Sequence, residues 1–376
     1  MMHAAMTRIC YVIPSLSVGG TERQLTHLLR GLARDHELTV LCTRQDGALA
    51  GEARRCGAGV DVLGARSGWD FRMRRTLRRI FLAHRPDVLH TFLFGFDLFA
   101  NLAARDAGVP VVLSSRRELA TWQKPRHVFM QKRANGLVHA IVANSQAVAE
   151  YAMQREGADA ALFRVIPNGV HADAFVSDAD PHQLRLRYRI PFHTHVIGIV
   201  ANFSPVKDHA LFVDAAAELV RRRADVHFLM VGSGSLVMHV ERLIASRGLT
   251  ACFTRVATLA ELADLYALMD VSVLCSKAEG FPNAVIESMA AGRPVVAAAV
   301  GGIRELVRDG ETGRLVASRE PKAFADAIEW MLNHPEEGRI LAERASQWVR
   351  TELSMERMVE SYRALYAELL AKHRGT

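Results

Sequence analysis

Two glutamates that flank a Gly-Phe-Pro-Asn turn are the residues of this chain best placed to do chemistry. Glu279 and Glu287 stand eight positions apart, and the turn between them follows an apolar run over residues 271–275. Pro282 and Gly292 occupy the positions where a short helix typically begins and ends. The first amides of such a helix have no partner within it, and they favour a bound anion. The motif therefore predicts a site for a charged, hydroxyl-rich ligand with a carboxylate on either side.

A glycosidase pair is one alternative for these glutamates. The carboxyl groups of such a pair face each other across one bond, about 5 to 10 Å apart. Eight residues of helix rise about 12 Å, so the spacing favours contact with two ends of one extended ligand. The other alternative is two solvated surface glutamates, which would leave the strand and the turn before the helix unexplained.

A lysine at the end of another strand offers the matching positive charge. Ser204 and Pro205 predict a helix start, which would place Lys207 in the first helical turn. A cation there opposes the helix dipole, and a local conflict at a strand end suggests function. A phosphate bound to Lys207 would offset the conflict through a charge-assisted hydrogen bond.

Other strand ends carry weaker signals. Gly19 and Gly20 precede a helix, and glycines there allow the backbone to approach a ligand closely. The Gly232 and Gly234 turn lacks the third glycine and the acid of a dinucleotide fingerprint, so it predicts an ordinary strand–helix connection. His90 ends a strand and could reach a ligand or be a structural residue.

A D-x-D spacing, which some enzymes use to hold a metal, occurs at residues 178–180. Asp178 and Asp180 follow no strand and precede Pro181, so they indicate a solvated linker. No metal site is predicted.

The charge of the chain is concentrated in one region. The net charge is +7, and residues 66–139 hold fourteen Lys and Arg against five acids. Within it, the segment 66–85 has seven arginines interleaved with apolar residues, which is typical of a basic amphipathic helix on an anionic membrane surface. The alternative is an ordinary charged helix face. A nucleic-acid partner is suggested only by this charge and is not predicted.

Strand-like and helical patterns alternate from end to end, which predicts an α/β fold with parallel sheets. Strands are expected at the ranges 9–13, 38–42, 87–91, 109–113, 140–143, 163–166, 196–200, 226–231, 271–275 and 295–298. With 376 residues the chain has room for two domains. We expect an N-terminal domain over 1–180 and a C-terminal one over 190–352, with a helix at 355–376 that packs on either.

The length of the apolar runs and the start of the chain predict a cytoplasmic protein. Five scattered cysteines support neither a disulfide framework nor a zinc site.

Taken together, these motifs resemble the retaining, nucleotide-sugar-dependent glycosyltransferases of the GT-B fold (glycosyltransferase family 4-like, group 1). The likeness covers nearly the whole chain and rests on the Gly19-Gly20 turn, the 204–207 segment, the E-x7-E motif, the Asn168-Gly169 turn and the Gly301-Gly302 turn. It implies two doubly wound Rossmann-like domains facing an interdomain cleft. It also implies metal-independent transfer by front-face displacement, with a nucleoside diphosphate sugar as co-substrate and no other cofactor.

The resemblance also implies roles for individual residues. Lys207 and Glu279 would be catalytic, with Lys207 on the donor diphosphate and Glu287 on the ribose. The donor-binding set would be Gly20, Asn202, Ser204, Lys207, Glu279, Gly280, Phe281, Pro282, Asn283, Ala284 and Glu287. Acceptor-binding candidates are His90, Arg116 and Arg117.

Two departures from the family pattern concern charged residues. Many relatives have an arginine at the position of Asn202 or Ser204, so one cation of the phosphate clamp is absent. Many also have a histidine in the region of Ser114–Glu118, where Arg116 suits a phosphate-bearing acceptor.

The leading interpretation is a peripheral enzyme of polysaccharide or cell-envelope biosynthesis that glycosylates a membrane-associated or lipid-linked glycan. A non-catalytic sugar-nucleotide-binding protein on the same scaffold is the main alternative. A dehydrogenase with twin Rossmann domains is disfavoured by the incomplete fingerprint.

Overall fold

The computed structural model describes residues 6–65, 70–257 and 261–375, which form two compact units. The first unit runs to Gly169 and takes up the chain again from Met355, and the second spans Val170–Ser354. Residues 170–180, which the sequence analysis places in the first domain, belong to the second unit. The physical reason is that Val170 and Phe175 pack into the core of that unit.

The first unit is built on a seven-stranded sheet in the order β3-β2-β1-β4-β5-β6-β7, and every pairing in it is parallel. Its strands are β1 (Thr7–Ile13), β2 (His36–Cys42), β3 (Gly59–Val62), β4 (Val88–Thr91), β5 (Val111–Arg116), β6 (Ala140–Ala143) and β7 (Phe163–Val165). The strand order reverses between β1 and β4, and ligands of doubly wound sheets bind at the carboxyl ends of strands beside such a point.

Helices cover both faces of this sheet. They are α1 (Gly20–Leu32), α2 (Ala50–Arg55), α3 (Arg72–His84), α4 (Asp97–Ala107), α5 (Pro125–Asn135), α6 (Gln146–Glu156) and, from the end of the chain, α15 (Met355–Arg374). Alternate residues of β1 point to opposite faces: Tyr11 packs with α1, α2 and α15, whereas Val12 packs with α3 and α4. The C-terminal helix is thus part of the first core.

The second unit has a six-stranded parallel sheet in the order β10-β9-β8-β11-β12-β13. Its strands are β8 (His195–Val200), β9 (Val226–Val231), β10 (Phe253–Val256), β11 (Val271–Leu274), β12 (Val295–Ala298) and β13 (Arg314–Val316). Its helices are α7 (Pro181–Tyr188), α8 (His209–Val220), α9 (Val237–Ser246), α10 (Leu262–Ala267), α11 (Asn283–Ala290), α12 (Ile303–Leu306), α13 (Pro321–Asn333) and α14 (Pro335–Glu352). Here the order reverses between β8 and β11.

The α/β class and the doubly wound sheets are confirmed, but three strands were not predicted from the sequence. β3, β10 and β13 have three or four residues each and lie at sheet edges. An edge strand is short and partly solvated, so it lacks the apolar run that marks a central strand of a parallel sheet.

Among the residues that the structure describes, none of the helices combines the length and the hydropathy needed to span a bilayer.

Candidate active site

Two loops meet at the point where the strand order of the second sheet reverses. The loop after β8 carries Lys207 and the loop after β11 carries Glu279. The ammonium nitrogen of Lys207 lies 2.5 Å from Oε1 of Glu279, and the Ser276 hydroxyl donates to the same oxygen at 2.5 Å. Both charged side chains are largely buried, at 22% and 10% exposure. The sequence motifs predict Lys207 and Glu279 as site residues but give no sign of Ser276.

Lys207 stands in a turn before α8, so the prediction that it lies in a first helical turn is wrong. The Lys207 N–H donates to the Ser204 carbonyl at 3.1 Å, which closes a turn, and α8 begins only at His209. Asp208, the residue before the helix, has a left-handed φ of 51°. The lysine therefore lies outside the helix, and its charge is balanced by its partner Glu279.

Two stacked rings, those of Phe203 and His209, flank the turn that carries Lys207. Phe203 is fully buried and stacks on His209, with ring centroids 4.0 Å apart. Burial, with a smaller contribution from the charge of Lys207, lowers the pKa of His209 to about 4. His209 is therefore neutral at pH 7 and adds no second positive charge close to Lys207.

Backbone and side-chain bonds tie the two loops together. The Lys277 N–H donates to the Val206 carbonyl at 2.8 Å. Arg319 donates to the carbonyls of Cys275 (2.9 Å) and Ser276 (2.8 Å), and it also forms an ion pair with Asp208. The loop after β12 joins them, because the Gly302 N–H donates to the Glu279 carbonyl at 3.1 Å.

The loop after β9 supports the Lys207 turn and needs its glycines for that purpose. Gly232 and Gly234 have φ values of 141° and 152°. A Cβ atom would lie 2.2 Å from the Ala201 oxygen at the first position and 2.5 Å from the Phe203 oxygen at the second. These glycines, predicted as an ordinary turn, thus let one loop pack directly on the next.

Gly234→Ala is expected to lower the free energy of unfolding of the second unit by about 2 kcal/mol or more, through backbone strain and overlap with Phe203. Gly248→Ala is the matched control, since Gly248 has a φ of 71° and open space around a Cβ atom. Thermal unfolding of both variants measures the difference. Equal losses would mean that the contact with Phe203 contributes nothing.

Glu287 lies on α11 and is buried, as the motif requires. The Tyr266 hydroxyl stands 3.2 Å from Glu287 Oε2 and 3.1 Å from the Ala284 carbonyl oxygen. Pro282 precedes the helix instead of occupying its first position, and its carbonyl accepts the Val285 N–H at 3.2 Å. The Val285 amide, one of the first amides of the helix that the motif offers to an anion, is therefore already used. Tyr266, which holds the glutamate, was not predicted because it comes from a different helix.

The remaining donor-binding candidates have varied surroundings. Gly280, Phe281 and Pro282 are buried, Asn283 and Ala284 are half-buried, and Asn202 is exposed beside a half-buried Ser204. Gly20 is exposed at the first position of α1, directly after the loop that follows β1.

The start of α1 is tied to the Asn168-Gly169 turn, because the Gln24 side chain hydrogen-bonds with the backbone of Gly169.

The three acceptor-binding candidates are buried structural residues. His90 contacts the Tyr366 and Ser115 hydroxyls, at 2.8 Å each. Burial and the charge of Arg117 lower the pKa of His90 to about 3.

The two arginines are similarly engaged. Arg116 pairs with Glu156 at 3.0 Å, and Arg117 binds Tyr362 (3.1 Å) and Asn168. The structure therefore does not support acceptor contact by His90, Arg116 or Arg117. For the arginines the reason is that β5 continues through Arg116, three residues beyond its predicted end, which buries Arg116 and the adjacent Arg117. His90 is buried within β4.

The basic segment 66–85 forms α3 over its described part. Met73, Leu77 and Phe81 pack into the core of the first unit, while most of the arginines are exposed. Arg66 and Trp69 lie outside the described residues.

Comparisons with known proteins identify the family. A model described as glycosyl transferases group 1 matches residues 194–334, and one described as glycosyltransferase family 4 matches residues 18–174. The chain is 33% identical over 315 residues to a D-inositol 3-phosphate glycosyltransferase of Geodermatophilus obscurus, covering 77% of this chain and 69% of that protein. It is 32% identical over 323 residues to D-inositol 3-phosphate glycosyltransferase 2 of Catenulispora acidiphila, covering 77% and 75%.

Solved structures of glycosyltransferases share the fold of this chain. HepE of Anabaena, solved in complex with UDP and glucose, has a TM-score of 0.87 at 21% identity and covers 96% of this chain and 100% of its own. This likeness confirms the predicted GT-B fold. Fold, motifs and sequence relatives agree, and the chain belongs to the group 1, family 4 glycosyltransferases.

Proposed function

We propose that this chain is a retaining glycosyltransferase that moves a sugar from a nucleoside diphosphate sugar to a membrane-associated or lipid-linked glycan. The observation that carries the proposal is the buried Lys207–Glu279 pair, 2.5 Å long, at the reversal point of the second sheet. A buried pair of this kind contributes little net stability compared with apolar residues. Its position at the carboxyl ends of β8 and β11 favours a role in binding.

The pair suggests how the donor is held. A diphosphate would compete with Glu279 for the Lys207 ammonium, and the released carboxylate would then be free to accept hydrogen bonds from sugar hydroxyls. Glu287, which accepts from Tyr266, would bind the ribose hydroxyls. The two glutamates would thus contact the sugar and the ribose of one sugar nucleotide, in keeping with the E-x7-E spacing.

The same residues explain what the enzyme contributes to the reaction. In front-face displacement, negative charge develops on the departing diphosphate while the sugar becomes an oxocarbenium-like cation. Lys207 and the amides at the start of α11 that precede Val285 would stabilise the diphosphate, and preorganised groups of this kind usually supply the largest share of catalysis. We assign no side chain as general base.

A thermal-shift screen over UDP-, GDP- and ADP-linked sugars tests donor binding. A true donor at a hundred times its dissociation constant stabilises the protein by about 2.7 kcal/mol. The absence of any shift across the panel would contradict the proposal. NMR of the product then reports whether the anomeric configuration of the donor is retained.

We also expect transfer to be independent of added metal. Lys207 supplies the charge that a divalent ion would otherwise bring to the diphosphate, so EDTA should leave the transfer rate unchanged. Loss of activity in EDTA, restored by Mg²⁺ or Mn²⁺, would be the opposite result.

One observation favours the alternative of a non-catalytic binding protein. Asn202 and Ser204 stand at the positions where many relatives have an arginine. Donor turnover separates the two functions. Hydrolysis or transfer that is abolished in Glu279→Ala excludes the alternative, whereas binding without turnover in the wild-type protein supports it.

Membrane attachment through α3 is the second part of the proposal. Its exposed arginines include Arg72, Arg75, Arg78 and Arg79, and each basic residue near an anionic bilayer contributes about 1 kcal/mol. Replacing all four by glutamine should therefore abolish sedimentation with phosphatidylglycerol vesicles at low salt. Phosphatidylcholine vesicles are the control, and unchanged sedimentation of the variant would exclude α3 as the attachment site.

A further inference from the structure

An aromatic cluster lies at the carboxyl ends of two neighbouring strands of the first sheet. Phe94 follows β4, Trp122 follows β5, and His127 lies in the first turn of α5. The ring centroids are 5.4 Å apart for Phe94 and Trp122, 5.3 Å for Phe94 and His127, and 5.7 Å for Trp122 and His127. None of these residues is among the predicted site residues.

Trp122 is held in place although half of its surface is accessible. Its exposed fraction is 50%, and its indole N–H donates to Glu118 Oε1 at 3.1 Å. The His127 ring is fixed as well, because its Nδ1 accepts the Lys124 N–H at 3.3 Å. An exposed but preorganised aromatic ring suits stacking against the apolar face of a sugar, since little conformational entropy is lost on binding.

The surroundings of the cluster favour a negatively charged ligand. The range 119–149 contains no Asp or Glu, whereas Lys124, Arg126, Lys132 and Arg133 all lie in it and are exposed. Lys124 and Arg126 stand three residues and one residue before His127 in the chain. A cation-rich rim beside an aromatic ring combines two forms of recognition, stacking for the ring of a sugar and charge for an anionic substituent.

The cluster lies at the same edge of the sheet as the helix start that carries Gly20. The loops after β1, β4 and β5 leave the carboxyl ends of neighbouring parallel strands, in the order β1-β4-β5. Burial raises the pKa of Glu22 in the first turn of α1, and the carboxylate of Glu118 raises it further. The first unit therefore places the exposed Trp122 at the strand edge that carries the turn assigned by the family likeness to donor binding.

We propose that Phe94, Trp122 and His127, with Lys124 and Arg126, bind the acceptor as a sugar ring that carries a phosphate or carboxylate group. The inference rests on the proposed function, and it transfers to Lys124 and Arg126 the anion-binding role first predicted for the buried Arg116. A bilayer anchor is the less favoured occupant. An interfacial tryptophan keeps its N–H among wet headgroups, whereas the N–H of Trp122 is already bound within the protein, to Glu118.

Calorimetric titration of the full chain tests the proposal. The anionic probes are myo-inositol 1-phosphate, glucose 6-phosphate and glucuronate, and the reference probes are glucose and inorganic phosphate. At least one anionic sugar should bind more tightly than both references. Trp122→Ala, and separately the double change Lys124→Ala with Arg126→Ala, should each weaken that binding by about tenfold or more.

Two controls guard this comparison. Trp122→Phe keeps an aromatic ring and should retain most of the affinity, and Phe192→Ala removes an equally exposed ring from the second unit (50%) and should change nothing. The proposal is overturned if no anionic sugar outbinds the references, or if Trp122→Ala leaves that affinity unchanged. Loss of phosphatidylglycerol vesicle binding without loss of sugar binding would make the cluster a membrane anchor instead.

Nucleoside diphosphate binding, measured in the same samples, separates this inference from the proposed function. Trp122→Ala should bind UDP, GDP or ADP as the wild-type protein does. If the wild-type protein binds none of them, the proposed function itself fails. If it binds one of them but no anionic sugar, only the acceptor inference fails.

Discussion

Replacing Lys207 by methionine should lower kcat/KM for sugar transfer by roughly a hundredfold or more, because the departing diphosphate loses its main cation. The same change should weaken nucleoside diphosphate binding by about tenfold or more, the usual effect of losing a charge-assisted hydrogen bond. Steady-state kinetics and calorimetry measure the two effects. Lys322→Met removes a lysine from an exposed ion pair on α13 and serves as the control.

Stability needs a separate control, since Lys207→Met leaves the buried Glu279 without its cation. The double variant Lys207→Met with Glu279→Gln removes both charges and keeps the contact with Ser276, so it should fold better than the single variant. It should remain as weak in diphosphate binding. Recovery of binding in the double variant would show that the lysine acts only through Glu279 and not on the ligand.

Glu287→Gln should weaken nucleoside diphosphate binding by about tenfold, because an ionised acceptor for the ribose hydroxyls becomes a neutral amide. The oxygen of the amide can still accept from Tyr266, so the fold should be kept. Inorganic pyrophosphate, which has no ribose, provides the sharpest comparison. Its affinity should be unchanged in Glu287→Gln and lost in Lys207→Met.

Glu329→Gln, in a surface ion pair with Arg222, is the matched control for this substitution. Equal weakening of pyrophosphate and of the nucleoside diphosphate in Glu287→Gln would contradict a ribose-binding role. Such a result would indicate a general loss of structure around α11.

The sequence was sufficient to locate the loops of the site. The apolar runs of β8 and β11 are central and buried on both faces, which makes them easy to recognise. Lys207 and Glu279 lie in the loops that follow those runs, and the carboxyl ends of neighbouring parallel strands lie at the same edge of the sheet. The pairing of the two side chains, 72 positions apart, could only be seen in the structure.

The sequence did not reveal which individual polar residues of the candidate site are buried. Arg116 and Arg117 look like surface residues in a charged segment, but their partners Glu156 and Tyr362 are 40 and 245 positions away. The partners lie on α6 and α15, and no local pattern links them to β5. The prediction of a helix start at Ser204-Pro205 was wrong for a similar reason, since the loops after β9 and β11 hydrogen-bond to the flanking residues Phe203 and Val206 and hold the segment in a turn.

A crystal structure with the best-stabilising nucleoside diphosphate would test the account most directly. We predict that a phosphate oxygen lies within hydrogen-bond distance of the Lys207 ammonium, that the ribose hydroxyls contact Glu287, and that the 2.5 Å contact between Lys207 and Glu279 lengthens. A nucleotide bound elsewhere, with that ion pair intact, would contradict it.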